Sequence, residues 1–285
     1  MRTLTYGFLN LNSRAGAVVT PLEVLKAAHA ADFNSVGLRA TGRRPEDAFP
    51  GLVGDQDALA AVVAGAKARN MRISSFTGYG FFPDVSTDAH VRLLDSAASA
   101  GVDLVIANVY YTDHAAFSDQ LNEVGVAARE RGIRVGVEFM PFSGLRTLAQ
   151  SNDVLAKCEM DNVGVVLDAL HLTRSGGAIA DIAAVDPSRI MLGQICDVRE
   201  VGAPRTDEQL MAEARENREY PGTGGVDLFG FIDALPHGME LEIEVPRRET
   251  LDLPSEERAR RMGSLYRTFI AEYEESRKSA VRSAG

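Results

Sequence analysis

A regular alternation of short apolar runs with amphipathic or alanine-rich stretches extends along all 285 residues, and it constrains the fold more than any other feature. Because strands that alternate with helices pair in parallel, this order predicts an α/β protein. The predicted strands are Thr3–Leu9, Ser35–Arg39, Arg72–Phe76, Leu104–Val109, Arg134–Phe139, Val163–Leu167, Ile190–Cys196 and Glu240–Val245. The predicted helices are Pro21–Ala31, Asp57–Arg69, Thr87–Ala100, Ala115–Arg131, Leu145–Lys157, Ala178–Val185, Thr206–Arg218 and Ser255–Lys278. The number of strands indicates closure into a single (β/α)8 barrel.

The segments that connect a predicted helix to the next strand have one feature in common. A residue suited to a left-handed helix cap follows a predicted helix at Asn34, Asn70, Gly101 and Gly132. An open doubly wound sheet, the alternative fold, would favour a glycine-rich turn after the first strand, and residues 10–16 have no such pattern. We therefore predict one barrel domain over residues 1–285, with a C-terminal helix at about 255–278 and a tail at 279–285 that frays.

The composition is that of an ordinary globular protein, with 45% hydrophobic and 25% charged residues. The net charge of −10 disfavours nucleic acid as a partner, because such binding depends on neutralising phosphates with Lys and Arg. No apolar run approaches the roughly 20 residues of a membrane helix, and the N-terminus has no signal-peptide pattern, so we expect no membrane partner. Cys158 and Cys196 suggest no disulfide framework, which predicts a cytoplasmic protein.

Four successive predicted strands, the fifth to the eighth, end on an acid or an amide. These residues are Glu138, Asp168, Gln194 and Glu244. Chemistry in a barrel of this kind lies at the C-terminal ends of the strands, so we expect the four side chains to meet at one rim. Any one of them alone would more often be a helix cap or a solvated loop residue. Together they predict a divalent cation, since buried carboxylates repel one another unless something positive binds them.

The segment Asp168-Ala169-Leu170-His171, with the other strand-end residues around it, resembles the xylose-isomerase-like TIM-barrel superfamily. That superfamily contains sugar isomerases and epimerases, hydroxypyruvate isomerases, inosose dehydratases and the endonuclease IV group. The segment Tyr220-Pro221-Gly222-Thr223-Gly224 is similar to the family's loop after the seventh strand. The resemblance in architecture covers nearly the whole chain, and its specific motifs lie between Arg134 and Arg248.

The resemblance implies one divalent metal ion held by Glu138, Asp168, Gln194 and Glu244. The family most often has histidine where this chain has Gln194. An amide oxygen is a harder ligand than imidazole, so we expect manganese or magnesium, with cobalt or zinc as alternatives. A degraded metal site and a purely structural amide are the other interpretations of this change.

Substrate contacts are predicted for a second group of residues. The resemblance implies one for His171, whose counterpart contacts substrate in the epimerases and metal in the endonucleases. Their places at strand ends make Arg39, Asn108, Asp197 and Arg247 further candidates, with ordinary loop positions as the alternative for each. We expect a small sugar or sugar-derived substrate, and the resemblance leaves a homo-oligomer open.

The resemblance implies an isomerase or epimerase that acts on a ketose or related sugar. In that chemistry the metal polarises the carbonyl, a carboxylate removes the neighbouring proton to give a cis-enediolate, and Glu138 and Glu244 serve as the catalytic acid and base. Loss of a β-substituent would instead make a metal-dependent lyase or dehydratase acting on an oxidised sugar or cyclitol, and this alternative stays open. A non-catalytic sugar-binding barrel is the alternative of another class.

Overall fold

Eight parallel strands form a closed barrel in a computed structural model, which describes residues 2–11 and 18–284. Each strand pairs with the next in chain order, and the first also pairs with the last, so the predicted (β/α)8 barrel is confirmed. The strands are β1 (Leu4–Tyr6), β2 (Ser35–Arg39), β3 (Arg72–Thr77), β4 (Leu104–Asn108), β5 (Arg134–Glu138), β6 (Val163–Asp168), β7 (Ile190–Ile195) and β8 (Leu241–Ile243).

The helices surround the barrel in the predicted order, with some changes of extent. They are α1 (Pro21–Ala30), α2 (Gln56–Ala68), α3 (Thr87–Ser99), α4 (His114–Arg129), α5 (Leu148–Lys157), α6 (Ala169–Arg174), α7 (Asp207–Glu216), α8 (Leu228–Ala234) and α9 (Ser255–Ala284). The sequence did not predict α6 and α8, which are short, and the helix predicted at Ala178–Val185 is a 3-10 helix at Ile179–Ala184. Helix α9 continues to Ala284, past its predicted end at Lys278, while Gly285 and residues 12–17 lie outside the described residues.

Polar side chains begin most of the helices in the way that local chemistry predicts. A side-chain oxygen accepts a backbone N–H of the first turn at Thr20, Asp55, Asp113, Thr147, Asp168, Thr206 and Asp227. Left-handed backbone ends helices as predicted at Asn70, Gly101 and Gly132. At the first join the left-handed residue is Asp32 rather than Asn34.

The interior of the barrel contains three glutamates, one above the other on or beside β8. Glu240 contacts the side chains of Thr5, Ser35 and Arg72 where the strands begin. Glu242 lies midway and accepts a hydrogen bond from Gln194, and Glu244 lies at the C-terminal rim. Their common direction follows from the alternation of side chains along a strand, and the three acids have three separate sets of partners.

The closing seam of the barrel is held by one buried amide. The side chain of Asn10 donates to the carbonyl oxygens of Gly7 and Ile243, at 2.8 and 2.7 Å, and accepts the backbone N–H of Val245 at 2.6 Å. These bonds join the end of β1 to the end of β8, which fixes the rim on which Glu244 lies. In the described parts of the chain, no helix is long and apolar enough to span a membrane.

Candidate active site and metal centre

A small cavity of about 100 Å³ opens at the C-terminal rim of the barrel. Six of the predicted site residues line it, namely Arg39, Asn108, Glu138, His171, Gln194 and Glu244. The predicted meeting of the strand-end side chains at one rim is therefore what the fold produces, because all eight strands run in the same direction.

Asp168 and His171 are placed by the start of helix α6. Asp168 ends β6 and caps the helix, since its Oδ1 accepts the backbone N–H of His171 at 2.9 Å. The imidazole then lies beside Glu138, with Nε2 at 3.9 Å from Oε1. One ligand atom from each of Glu138, Asp168 and His171 lies within 4.8 Å of the others, and all three residues are buried. The three-residue spacing of Asp168 and His171 has two consequences. It lets Asp168 cap the helix, and it brings the imidazole of His171 close to the carboxylates of Asp168 and Glu138.

Arg218 is the functional residue that the sequence analysis missed. Its guanidinium is buried, and it donates from Nη1 to Asp168 Oδ2 at 2.5 Å and from Nη2 to Glu244 Oε2 at 2.8 Å. The predicted helix at Thr206–Arg218 included this residue, but α7 ends at Glu216. The chain then forms single bridges to Asp197 and Arg247, which follow β7 and β8. The strand-end carboxylates, which indicated a bound metal ion, are also the signal that could have indicated a buried arginine or lysine of the chain itself.

The electrostatics of the rim follow from burial and from this one guanidinium. Burial raises the pKa of Glu138 well above its usual range, and Glu244 and Asp168 raise it further. Burial also raises the pKa of Glu244 to about 7, although Arg218 opposes the shift. Burial alone would raise the pKa of Asp168, but Arg218 and His171 outweigh it and the pKa ends below its usual value. Burial lowers the pKa of His171 to about 4, so its imidazole is neutral at pH 7.

Gln194 is oriented by an acid below it. Its Nε2 donates to Oε1 of Glu242 at 3.0 Å, and its own Oε1 is buried without a hydrogen-bond partner. Gly7 and Gly37 leave the space that the Glu242 carboxyl occupies, since a Cβ at either position would collide with it. The amide that stands in the position of the family's histidine therefore has an unsatisfied oxygen acceptor.

The donor set fits a divalent cation. The carboxylates of Glu138, Asp168 and Glu244 lie at one rim, and a single guanidinium, that of Arg218, pairs with the last two. Burial raises the pKa of both glutamates, and repulsion by neighbouring carboxylates adds to the shift. The neutral imidazole of His171 is the form that binds metal, and the free Oε1 of Gln194 is a further oxygen donor. The resemblance implied a substrate contact for His171, as in the epimerases, or a metal contact, as in the endonucleases, and the geometry places it among the candidate metal ligands.

Asp197 does not line the cavity, contrary to its predicted role in binding substrate. Its carboxylate accepts the backbone N–H groups of Val198, Gly222, Gly224 and Val226, at 2.8 to 3.1 Å. A carboxylate with four such bonds has its lone pairs occupied, so it stabilises the loop after β7.

Arg247 also lies outside the cavity lining. Its guanidinium binds Glu219 and Glu249 and donates to the backbone oxygen of Arg218, at 2.9 Å. Arg247 thus supports the segment that carries Arg218. The three other predicted contacts, His171, Asn108 and Arg39, line the cavity. Asn108 donates from Nδ2 to Glu138 Oε2 at 2.5 Å, and Arg39 lies at the end of β2.

Comparison with known proteins identifies the family and agrees with the barrel fold. The profile of the family described as "Xylose isomerase-like TIM barrel" matches residues 25–268. A solved structure of a protein named IOLI with a bound zinc atom has a TM-score of 0.74, with 20% identity, over 95% of this chain and 99% of that one. At that identity the likeness establishes the fold.

Two curated relatives match part of the chain. A segment of 147 residues, 50% of this chain, is 29% identical to a 3-dehydroshikimate dehydratase of Pseudomonas aeruginosa and covers 22% of it. A segment of 178 residues, 58% of this chain, is 25% identical to an inosose isomerase of Bacillus subtilis and covers 62% of it. The matched segments thus span less than two-thirds of either relative.

Proposed function

Because the chain belongs to the xylose isomerase-like TIM barrel family, we propose that it is an enzyme that removes a proton from the carbon beside a carbonyl group of a small polyhydroxylated substrate. One observation carries this proposal. Glu138 and Glu244, from β5 and from the end of β8, are both buried and both line the same small cavity. Two carboxyl groups that face one bound molecule provide a base and an acid for the transfer of a proton.

The residues around Glu138 and Glu244 position both carboxyl groups for proton transfer. Asn108 donates to one oxygen of Glu138, and Arg218 donates to one oxygen of Glu244, so each carboxyl is fixed through that oxygen, and its second oxygen is left for a metal ion or the substrate. Burial raises the pKa of both carboxyl groups, that of Glu244 to about 7, a value at which a carboxyl can both accept and return a proton. In isomerisation, the C–H electron pair forms the C=C bond of the enediolate while the C=O π pair moves onto oxygen. The proton then returns to the former carbonyl carbon, and the neighbouring hydroxyl becomes the new carbonyl by giving its proton to the former carbonyl oxygen.

The candidate ligands for a metal are Glu138, Asp168 and His171, with Gln194 and Glu244 beside them. A divalent ion bound there would polarise the substrate carbonyl and stabilise the negative charge of the enediolate. Manganese or magnesium is the ion we propose, because the set is dominated by carboxylate and amide oxygens. The family's usual histidine is replaced by Gln194, which removes one nitrogen ligand that would favour zinc.

Isomerisation or epimerisation of a ketose or cyclitol ketone is the first outcome that we propose. The inosose isomerase relative supports it, since its name denotes this chemistry on a cyclitol ketone. When one glutamate both removes and returns the proton, it ends in its starting protonation. When one glutamate removes the proton and the other supplies it, the two exchange protonation states and are reset by proton exchange with water. Epimerisation requires return of the proton to the opposite face of the same carbon.

Dehydration is the second candidate, and the match to a 3-dehydroshikimate dehydratase favours it. In this outcome the electron pair of the enolate expels a hydroxyl group from the β-carbon. The second glutamic acid gives its proton to the departing hydroxyl, which leaves as water, and a new C=C bond remains. The first half of the reaction is common to both outcomes, so the same base is needed in each.

Hydrogen exchange with solvent tests the shared first half. The full chain, loaded with Mn²⁺, is incubated in D₂O with ketoses, inososes and 3-dehydroshikimate, and deuterium in the recovered compounds is measured by mass spectrometry. We expect exchange at the carbon beside the carbonyl, and a loss of about 100- to 10,000-fold in Glu138→Gln and Glu244→Gln. Glu159→Gln removes an exposed carboxylate far from the cavity and serves as the matched control.

The products distinguish the two outcomes. A dehydratase forms a conjugated C=C bond that absorbs in the ultraviolet, whereas an isomerase forms a product of unchanged mass. Exchange that persists in both glutamine variants would contradict the assigned roles. Binding without exchange for any substrate would support the non-catalytic sugar-binding barrel instead.

A further inference from the structure

Three arginines line the more exposed part of the cavity, above the buried acids. Arg39 ends β2, Arg43 lies in the loop that follows, and Arg215 lies in the last turn of α7. Arg43 is exposed and the other two are half-buried, whereas Glu138 and Glu244 are buried. The cavity therefore has a cationic mouth and an acidic floor.

Arg39 and Arg43 differ from other arginines near this rim in their partners. Arg44, Arg146 and Arg174 each form an ion pair with a carboxylate, at 2.8, 2.6 and 2.6 Å. Within residues 2–11 and 18–284, no carboxylate lies at ion-pair distance from Arg39 or Arg43. Acidic residues are abundant in this chain, yet in its described parts these two guanidinium groups have no carboxylate partner. This part of the rim therefore has positive charge that is not neutralised by a neighbouring acid.

The contacts of Arg39 and Arg43 leave guanidinium N–H donors of both residues available for a ligand. Arg39 donates from Nε to the backbone oxygen of Thr41 at 2.9 Å, and its guanidinium lies 4.9 Å from the ring centre of Phe49. Arg43 lies over the ring of Tyr110 at 5.7 Å. Aromatic faces hold a guanidinium in place without using its N–H groups. The nearby carboxylate of Asp47 accepts the backbone N–H groups of Arg43 and Arg44.

The positive charges of the three arginines lie close enough to disfavour one another. Burial, and then the charge of Arg43, lower the pKa of both Arg39 and Arg215. Glu216, next to Arg215, pairs with Arg248 outside the cavity. A bound anion would relieve this repulsion, because it would interact with several guanidinium groups at once.

We propose that Arg39, Arg43 and Arg215, the arginine cluster, bind an anionic group of the substrate, either a carboxylate or a phosphate. The inference deepens the proposed function and rests on it. The carbonyl end of the molecule reaches Glu138 and Glu244, while the charged end stays at the mouth. The substrate is thus an acidic polyhydroxylated compound, and a neutral ketose of the same size lacks the group that the mouth recognises.

Binding measured without turnover tests this assignment. The full chain carrying Glu138→Gln is titrated by calorimetry with three cyclitols, which are myo-inositol, its 1-phosphate and quinate. They present no charge, a phosphate and a carboxylate on the same kind of ring. We expect the preferred anionic probe to bind at least about tenfold more tightly than myo-inositol, because guanidinium–oxyanion hydrogen bonds are worth more than those of a hydroxyl.

Substitution of single arginines tests whether the anionic group of the probe binds at the arginine cluster. Arg43→Met and Arg215→Met should each weaken the preferred anionic probe by about three- to tenfold and leave myo-inositol unchanged. Arg44→Met removes the same charge one residue away, from a guanidinium that pairs with Asp84, and should leave all three affinities unchanged. The side chain of Arg43 donates no hydrogen bond within the described chain, and its backbone bonds do not depend on the side chain, so we expect Arg43→Met to preserve the fold.

The result that overturns the proposal is equal affinity for the neutral and anionic probes, or no binding of either anionic probe. Equal weakening by Arg43→Met and Arg44→Met would also overturn it, since a general effect of net charge would then explain the binding. Failure of the proposed function appears separately, as the absence of deuterium exchange in the unsubstituted chain. The stronger of the two anionic probes identifies a carboxylate or a phosphate substrate.

Discussion

Arg218 donates a hydrogen bond to Asp168 over 2.5 Å, between two side chains that are both buried at the rim of the barrel. The same guanidinium also binds Glu244, so one cation joins residues that end β6 and follow β8. Three carboxylates close together would otherwise repel one another in a site from which water is largely excluded. The arginine makes the arrangement stable while leaving enough negative charge for a divalent ion.

Replacement of Arg218 should therefore cost both stability and activity. We expect Arg218→Met to lower the free energy of unfolding by about 3–5 kcal/mol at pH 7, because it leaves Asp168 and Glu244 buried without their partner. Urea unfolding measures the change. The matched control is Arg174→Met, which breaks the buried pair with Glu213 outside the cavity and should reduce stability without reducing deuterium exchange per folded molecule. Full stability in Arg218→Met would contradict the role of Arg218 as the counter-charge.

Gln194 should determine which metal binds. We expect Gln194→His to raise the affinity for Zn²⁺ relative to Mn²⁺ by at least about tenfold, because imidazole suits zinc better than an amide oxygen does. Calorimetric titration of the chelator-treated protein with each ion measures the ratio. Gln194→Leu offers no donor and should weaken both ions. An unchanged ratio in the histidine variant would mean that position 194 does not contact the metal.

Asp197 should behave as a structural residue. We expect Asp197→Ala to lower the free energy of unfolding by about 3 kcal/mol, since four backbone N–H groups lose a charged acceptor. Thermal unfolding and proteolysis of the loop at residues 222–226 measure the effect. Asp186→Ala removes an exposed capping carboxylate and should cost under about 1 kcal/mol. A specific loss of substrate affinity, with stability unchanged, would restore the predicted role in substrate binding.

His90 should make stability depend on pH. Its ring stacks on Phe81 at 4.0 Å, Nε2 has no hydrogen-bond partner, and burial lowers its pKa to about 4. An unfolded histidine takes up a proton near pH 6.5, so unfolding is coupled to proton uptake between the two values. Stability is therefore complete above about pH 6.5 and falls as the pH is lowered, by about 3 kcal/mol once the pH reaches 4.

The histidine variants isolate this contribution. His90→Leu should flatten the pH dependence of unfolding between pH 4 and 6.5 relative to the unsubstituted chain, measured by urea unfolding at each pH. The buried His171, with a similar shift, contributes equally in both proteins. His29→Gln, at an exposed position of α1, should leave the dependence unchanged. The same slope in His90→Leu would show that another group is responsible.

The sequence by itself determined the architecture and most of the rim. Alternating strand and helix patterns are local, and eight of them close a barrel whose strands all end on one face, so Glu138, Asp168, Gln194 and Glu244 were bound to approach one another. Short helices such as α6 and α8 escaped prediction because they carry too few turns for a periodic pattern.

Only the tertiary structure decided what surrounds those residues. Arg218 enters the site because α7 ends two residues earlier and its last turn is followed by bridges to two other strand ends, which no local pattern encodes. Asp197 and Arg247 do not line the cavity for the same kind of reason, since backbone amides bind the first and neighbouring acids bind the second. Strand order follows from local periodicity, whereas the partner of a charged side chain depends on contacts between segments far apart in the sequence.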